Sequence, residues 1–349
     1  MTKGKPESEI KFFRNTIEVN DSKDWNSVIA HGLNAFNIKH DFEDKKLMQV
    51  IQQDTSEIPL VDFISINATG ATLCNAKIEH KDIKQPILAY SILTAEKKIN
   101  GFAFSCSTED SSLVITITSP NTATKIHATE IELVLSMPLG SVYNFDMTAD
   151  FGALVYLGDG TKQSTFKIKS NSGNVKISNL NCDDLNVRLD LGAVKLVDYL
   201  AGSSISLYTN VGSIECDSKF GQGGGSKEVK LISDMGGIYG NVEGYRKMSC
   251  TTSGLVDIKL KPNPISTTDI TSHLGSVTAN VIDYCGKYEV SINFGLCNVT
   301  GKVNVLEKKN WMMGSSQKGT VGLEGTSTFK CNAQVGKNNV NFQNINKLL

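Results

Sequence analysis

The sequence predicts an all-β fold, a single-stranded β-solenoid (β-helix) of about ten coils of roughly 20 residues, preceded by an antiparallel β-rich capping region. Glycine recurs about every 20 residues, apolar residues alternate around each glycine, and Val, Ile, Thr, Ser and Asn are abundant. This period is too short for ankyrin or propeller units and typical of a solenoid coil. We expect a polar leader over 1–30, the antiparallel region over 31–135 and the solenoid over 136–349.

Composition narrows the functional classes. The chain has 349 residues, 40% of them hydrophobic, and a net charge of −1. This near-neutral balance argues against a general binder of nucleic acid or of anionic membranes, since both need a basic face. No apolar run approaches the roughly 18 residues of a membrane span. The opening MTKGKPESEIKFF lacks the apolar core of a signal peptide, so we expect a soluble, cytoplasmic protein that reaches the cell surface only by an unconventional route.

The region before the solenoid reads as strands joined by turns. The runs LNAFNIKH and LMQVIQQD flank the charged DFEDKK and predict a hairpin. A helix over Asp24–His40 is the alternative, because Trp25, Val28 and Ile29 follow helical spacing. The later runs FISINATG, ILAYSILT, GFAFSCS, SSLVITITS and IELVLSM keep strand composition. This region would cap the open N-terminal end of the solenoid.

Ten glycines are expected to form the corners of successive coils, because glycine tolerates the backbone angles that a corner needs. They are Gly152, Gly173, Gly192, Gly212, Gly236, Gly254, Gly275, Gly295, Gly314 and Gly336. The repeat is weakest around Gly254 and Gly314, where the apolar residues leave the common spacing.

Side-chain alternation around each glycine predicts which residues enter the core. Apolar or small residues fall at positions −7, −5, −3 and −1 before the glycine and at +2 and +4 after it. For Gly192 these are Leu185, Val187, Leu189, Leu191, Val194 and Leu196. The same spacing assigns most aromatic residues to the core, among them Phe145, Phe151, Phe166, Tyr288, Phe294 and Phe329. No exposed aromatic stripe is expected.

Position −2 carries polar residues that would stack into a column, the polar ladder. Its members are Asp150, Asn171, Asp190, Asn210, Asp234, Thr252, His273 and Asn293. Asx residues before a corner stabilise turns through hydrogen bonds to the backbone, so a structural role is favoured. Binding of a cation or another ligand is the alternative.

Neither a catalytic site nor a cofactor or metal site is predicted. The five histidines are scattered without metal-ligand spacing, and the eight cysteines form no CxxC pair. Glycosidases need two carboxylates roughly 5–9.5 Å apart. Asp183, Asp184 and Asp190, with Arg188, are the nearest cluster.

The segment EIELVLSMPLGSVYNFDMTADFGALVYLG, followed by coils of the form G-x-[VIL]-x-[VIL], resembles the putative adhesin family. These β-solenoid domains of unknown function are related to the head GIN domain of putative auto-transporter adhesins. The shared entry strand spans Leu133–Gly140, and the resemblance covers about residues 127–345. It implies a stalk or binding surface and brings no catalytic residues with it.

The sequence therefore predicts a non-enzymatic β-solenoid scaffold or binding protein of adhesin-like type. Its partner would be a protein or glycan surface, or a second copy meeting it through the solenoid ends; nucleic acid is not expected. The alternative is a β-helix enzyme, a lyase or glycosidase, that acts on polysaccharide through the face around Asp183–Asp190.

Overall fold

The structure is a computed structural model that describes residues 49–94, 102–119, 129–221, 226–322 and 325–343. These residues form 22 β-strands and no helix. The strands are β1 (Gln49–Glu57), β2 (Phe63–Lys81), β3 (Ile87–Thr94), β4 (Ala103–Glu109), β5 (Ser112–Thr118), β6 (Thr129–Pro138), β7 (Asn144–Leu157), β8 (Lys162–Ser172), β9 (Val175–Ser178), β10 (Asn181–Leu191), β11 (Val194–Val211), β12 (Ile214–Phe220), β13 (Glu228–Met235), β14 (Ile238–Glu243), β15 (Lys247–Thr252), β16 (Val256–Lys261), β17 (Thr267–Ser272), β18 (Val277–Ile282), β19 (Gly286–Gly301), β20 (Val303–Asn310), β21 (Ser315–Val321) and β22 (Ser327–Gln343). The all-β prediction is confirmed.

Parallel pairing arranges most strands into two ladders. The first ladder holds the segments that precede the corner glycines, and there Leu185 lies in register between Phe166 and Ile205. The second ladder holds the segments that follow the glycines. From β7 to β18 each segment pairs with the segment about one repeat further along the chain. The architecture is therefore rich in parallel strands and β-solenoid-like.

The stacking order departs from the sequence order near the C-terminal end. β22 pairs on one side with β17 and β18 and on the other side with β19, so that Cys331 lies between Ile270 and Val290. β21 then pairs antiparallel with β19, and β20 pairs antiparallel with β21. The sequence, read as a simple succession of coils, does not predict this insertion.

The N-terminal region differs in part from the expected antiparallel arrangement. β1–β3, β3–β6 and β4–β5 are antiparallel pairs, as expected. β2 instead runs parallel to β7 on one side and to β5 and β6 on the other. Ile66 thus lies between Met147 and Ile115, because its alternation matches that of the coil segments. The expected leader over 1–30 and the competing helix over Asp24–His40 lie outside the described residues.

The alternation of buried side chains matches the sequence pattern up to position −3. Leu185, Val187 and Leu189 are at most 1% exposed. At position −1 the prediction is wrong: Leu191 is 47% exposed, Met235 63% and Phe294 49%. The reason is that the chain already bends before the glycine, so positions −2 and −1 both point outward.

The corner glycines lie one above another along most of the stack. A Cβ atom on Gly192, whose φ is +139°, would lie 1.7 Å from the carbonyl oxygen of Gly173. Similar contacts run from Gly152 to Gly275, and Gly295 approaches the carbonyl of Gly336. Only a residue without a side chain fits such a close approach of two backbones.

Gly314 is not part of this column, which corrects its assignment as a corner. It lies between β20 and β21, where a Cβ atom would meet the carbonyl oxygens of Asn293 and Ile292. The cause is the antiparallel hairpin that β20 and β21 form, since no second-ladder strand follows this glycine. Gly336 belongs between Gly275 and Gly295, because β22 is inserted there.

Inward hydroxyl groups at position −3 hold the corners together, a feature that the sequence pattern did not single out. Thr209 Oγ1 donates a hydrogen bond of 2.8 Å to the carbonyl of Gly192 in the preceding coil. Ser233 donates to Gly212 at 2.7 Å. Such a bond satisfies a buried carbonyl that has no ladder partner at the bend.

A buried polar cluster lies where β2 ends. The ring of His80 stands between Tyr143 and Tyr156, with ring centroids 5.9 and 5.8 Å away. His80 Nε2 and the Tyr143 hydroxyl share a hydrogen bond of 3.3 Å. Burial lowers the pKa of His80 below its usual value, although the charge of Asp159 partly opposes this. The folded state therefore favours neutral His80.

We expect the protein to lose thermal stability between about pH 7.5 and about pH 5.5. Unfolded His80, with a pKa near 6.5, binds a proton in this window, whereas folded His80 binds it only at lower pH, so acid favours unfolding. The pKa of Glu79 is lowered overall, because burial raises it but the hydrogen bonds and charges of Lys81 and Lys77 lower it by more. The stabilising effect of ionised Glu79 is therefore lost only below about pH 4.5, outside this window. Melting temperatures at both pH values should show a smaller pH effect in His80→Gln. An unchanged pH effect would exclude His80 as the cause.

Candidate functional site

Three rows of outward side chains cross the first ladder where β7, β8, β10, β11 and β13 lie side by side. Parallel register places equivalent residues of successive strands in each row, about 4.8 Å apart. The first row is Asp146, Lys167, Asn186 and Ser206; the second is Thr148, Lys169, Arg188 and Tyr208; the third is the polar ladder from Asp150 to Asp234. Because side chains alternate along a strand, all three rows face away from the core.

A shallow groove of about 280 Å³ opens between the first and second rows. Its walls are Asp146, Thr148, Lys167, Ile168, Lys169, Asn186 and Arg188. Except for Ile168, whose side chain belongs to the core, these residues present amide, hydroxyl and charged groups to the groove. It can therefore hold a polar ligand against a rigid β-sheet.

An arginine–tyrosine pair extends the groove along the second row. The guanidinium carbon of Arg188 lies 4.7 Å from the centre of the Tyr208 ring. The Tyr208 hydroxyl donates a hydrogen bond of 2.7 Å to Asp234 Oδ2, and this bond is the main reason why the pKa of Tyr208 is raised. Both contacts hold the half-exposed ring in one orientation.

The groove carries a net positive charge, because Lys167, Lys169 and Arg188 outnumber the one carboxylate on its walls, Asp146. Lys169 and Arg188 are register partners on β8 and β10, and Lys167 lies two residues before Lys169. Among the described residues no carboxylate lies within 4.0 Å of these three cations. Like charges in adjacent register positions repel each other, so the unliganded groove favours a counter-ion.

The polar ladder is a hydrogen-bonded column at its N-terminal end. Asn171 Nδ2 donates to Asp150 Oδ1 at 2.9 Å, and the backbone N–H of Gly70 donates to Asp150 Oδ2 at 2.8 Å. Asp190, Asn210 and Asp234 continue it one strand at a time. These outward carboxylate and amide oxygens are hydrogen-bond acceptors beside the groove.

The ladder is interrupted at Thr252, which the structure places in the core. Thr252 is 1% exposed and lies in register with Ser233 and Ser272, both at position −3. Its hydroxyl donates to the carbonyl of Gly236. One residue fewer separates this strand from its glycine, which shifts the offset. His273 and Asn293 lie further along, with β22 inserted between their strands.

The carboxylates considered for catalysis are not brought together as an acid–base pair. Asp183 forms an ion pair of 2.9 Å with Lys162, and Asp184 accepts a 2.7 Å hydrogen bond from Ser204. Asp184 and Asp190 lie six residues apart on one strand, or about 20 Å. A glycosidase pair needs about 5–9.5 Å.

Metal ligands and cysteines are the remaining candidates for site chemistry. No group of three or more His, Cys, Asp or Glu side chains in these ranges could hold a metal ion. None of the eight cysteines, all of which lie in the described ranges, forms a disulfide, and burial raises the pKa of the Cys216 thiol to about 12. No helix of the described residues is long and apolar enough to cross a bilayer.

The sequence pattern missed Tyr208 and also the groove residues Asp146, Thr148, Lys167, Lys169 and Asn186. The offsets identified aromatic residues at core positions, and Tyr208 lies at −4 from Gly212, an outward position. That offset was the available signal, since alternation from the buried Leu207 turns Tyr208 outward.

Comparison with solved structures finds several chains of low sequence identity. A putative cell adhesion protein from Clostridium sporogenes is 11% identical, with 84% of this chain and 99% of that chain covered and a TM-score of 0.26. A putative adhesin from Bacteroides fragilis is 12% identical, covers 84% and 96%, and has a TM-score of 0.28. One from Parabacteroides merdae is 9% identical, covers 84% and 95%, and has a TM-score of 0.31. Superpositions this loose carry no argument about the present site.

No curated protein matches the chain. The model of one family does match, over residues 91–343, which is more than half of the sequence. This match confirms the resemblance to a putative adhesin family of unknown function. The chain belongs to the Toastrack DUF4097 family.

Proposed function

We propose that this protein is a non-enzymatic, adhesin-like scaffold that binds a glycan surface through the outward face of its first ladder. In this proposal the two ladders are faces of one single-stranded β-solenoid of about ten coils. In it the corner glycines and most of the polar ladder have a structural role, and the groove binds the ligand.

The groove beside the Arg188–Tyr208 pair carries the proposal. It combines a fixed aromatic ring, hydrogen-bonding groups and charge on a surface that parallel strands hold flat. Shallow polar grooves with an aromatic side chain suit saccharides, because a sugar offers hydroxyl edges and an apolar ring face.

The proposal is tested by measuring binding and turnover together. The purified chain is passed over immobilised acidic and neutral glycans while release of new reducing ends and unsaturated products is followed. We expect retention on at least one glycan and no shortening of any. Turnover that Asp190→Asn abolishes and Asp184→Asn leaves intact would overturn the proposal in favour of the polysaccharide enzyme. Absence of retention on every glycan would also overturn it.

The ends of the stack support self-association as a second partner proposal. Within the described residues, β20 pairs only with β21, and Leu296–Gly301 pairs only with β22. Lys302, Lys308 and Lys309 outnumber Glu307 at this end, where Lys309 and Glu307 form an ion pair, whereas Asp54 and Glu57 lie on β1 at the other. Unpaired strand edges of opposite charge favour end-to-end contact.

The cytoplasmic location expected from the sequence stays a prediction.

A further inference from the structure

We propose that the groove beside Arg188 binds the anionic group of an acidic saccharide, a carboxylate or sulfate carried on a sugar chain. This inference rests on the proposed function and specifies its ligand class. Three properties of the surface carry it: unpaired cations, a fixed ring beside them, and a flanking row of hydrogen-bond acceptors.

The cations define an anion position. Lys169 and Arg188 face each other across adjacent strands, and Lys167 borders the same groove. In the part of the chain that the structure describes, none of them has a carboxylate within 4.0 Å. An anion between them would relieve their mutual repulsion. The planar guanidinium of Arg188 can donate two parallel hydrogen bonds to the two oxygens of a carboxylate or sulfate.

The ring beside the anion position favours a sugar as the carrier. Tyr208 is fixed by Arg188 on its ring and by Asp234 at its hydroxyl. The ring face that points away from Arg188 can therefore offer an ordered apolar surface to one sugar ring at little entropic cost. Asn186 and Thr148 on the groove walls supply further donors and acceptors for hydroxyl groups.

The polar ladder sets the spacing of charge along the ligand. It runs beside the second row, two residues or about 6.6 Å further along each strand. Asp150 and Asp190 accept hydrogen bonds from neutral hydroxyl groups and repel a second anion. The surface thus suits a chain in which acidic groups are separated by neutral hydroxyls.

Nucleic acid fits this pattern poorly. A nucleic-acid strand carries a charge about every 3.4 Å, which would set phosphates against the carboxylates of the ladder. Single-strand binders also stack successive bases on several aromatic residues. Beyond Tyr208 the second row continues with Ile232 and Thr251.

The test compares an acidic saccharide with its neutral ester, with a sulfated saccharide and with a nucleic acid. Isothermal titration calorimetry measures the affinity of the full chain for an oligogalacturonate, for the same oligomer fully methyl-esterified, for a heparin-derived oligosaccharide and for single-stranded DNA. We expect the oligogalacturonate or the heparin fragment to bind at least about tenfold more tightly than the neutral ester and the DNA, in line with one or two charge-assisted hydrogen bonds. Binding of the oligogalacturonate shows that a carboxylate suffices, whereas binding of the heparin fragment alone indicates that sulfate is needed.

The variants place the anion at the groove. Arg188→Gln and Lys169→Gln are each expected to weaken binding about tenfold. Lys259→Gln, which removes the same charge from an exposed position on the second ladder, should stay within about twofold. Unchanged melting temperatures would show that the exposed substitutions leave the fold intact.

Several results would overturn the inference. Equal affinity for the oligogalacturonate and its methyl ester would exclude an anionic group as the recognised feature. Equal affinity of wild type and Arg188→Gln would exclude the groove as the binding site. If DNA bound more tightly than the saccharides and Arg188→Gln and Lys169→Gln abolished this binding, the ligand would be a nucleic acid and not a saccharide. Absence of binding to all four probes would also overturn it. The proposed function survives these results if neutral glycans still retain the protein without turnover.

Discussion

Replacement of Leu189 by aspartate is expected to cost about 4 kcal/mol or more of folding free energy. Leu189 is fully buried, between Ser170 and Thr209 on the neighbouring strands. An aspartate there would place an unpaired charge in the dry core, and no basic side chain lies on that face of these strands. The melting temperature should fall far enough that the variant is largely unfolded at 37 °C or recovered as aggregate.

The matched control lies two residues further along the same strand. Leu191 has the same side chain but is 47% exposed at the corner. We expect Leu191→Asp to change the melting temperature little, within about 1 kcal/mol in stability. Equal loss in both variants would contradict the structure and restore the sequence-based assignment of position −1 to the core. If neither Leu189→Asp nor Leu191→Asp lowered the melting temperature, the coil model would be wrong.

Replacement of Gly192 by alanine is expected to cost about 3 kcal/mol or more. The added Cβ atom would lie 1.7 Å from the carbonyl oxygen of Gly173, and the φ of +139° is strained for any other residue. The backbones of Gly192 and Gly173 would have to separate, which breaks the hydrogen bond that the Gly173 N–H donates to the carbonyl oxygen of Leu191. Chemical denaturation and hydrogen exchange of β10 and β11 measure the loss.

Gly140→Ala separates backbone strain from the steric clash. Gly140 also has a positive φ, +76°, but nothing lies within 4 Å of a Cβ atom there. Its substitution should therefore cost only about 1 kcal/mol. A cost at Gly192 no larger than at Gly140 would show that the close approach of the coils is not what requires glycine.

The sequence predicted the core of the coils well because alternation is a local property. Leu189 and Val194 are inward for reasons that lie within their own strands. Position −1 failed because the bend places two successive residues outward, as at Leu191, and alternation alone does not show where a bend begins. Thr252 failed for a related reason: one residue fewer lies between its strand and Gly254, which shifts the offsets of that repeat by one, and only the register with Ser233 reveals it.

The candidate site was partly visible in the sequence. The polar ladder depends on one offset from a glycine, and its first five members are recovered in order. The groove depends on which strands are neighbours and on the partners that Lys169 and Arg188 lack. Strand neighbours and side-chain partners are properties of the three-dimensional structure, and a single sequence does not show them. The insertion of β22 was invisible for the same reason, because all coil segments share one pattern.

The position of β22 has a consequence for how the molecule is assembled. Residues 286–301 rest on β22, although they are synthesised before it. Until β22 has been synthesised, this segment can pair only with β21, and the edge formed by β17 and β18 stays open. Stacking of strands from the N-terminal side therefore stops at β18 until β22 has been synthesised and has paired with β17 and β18. The C-terminal end of the stack closes only after translation has passed residue 343.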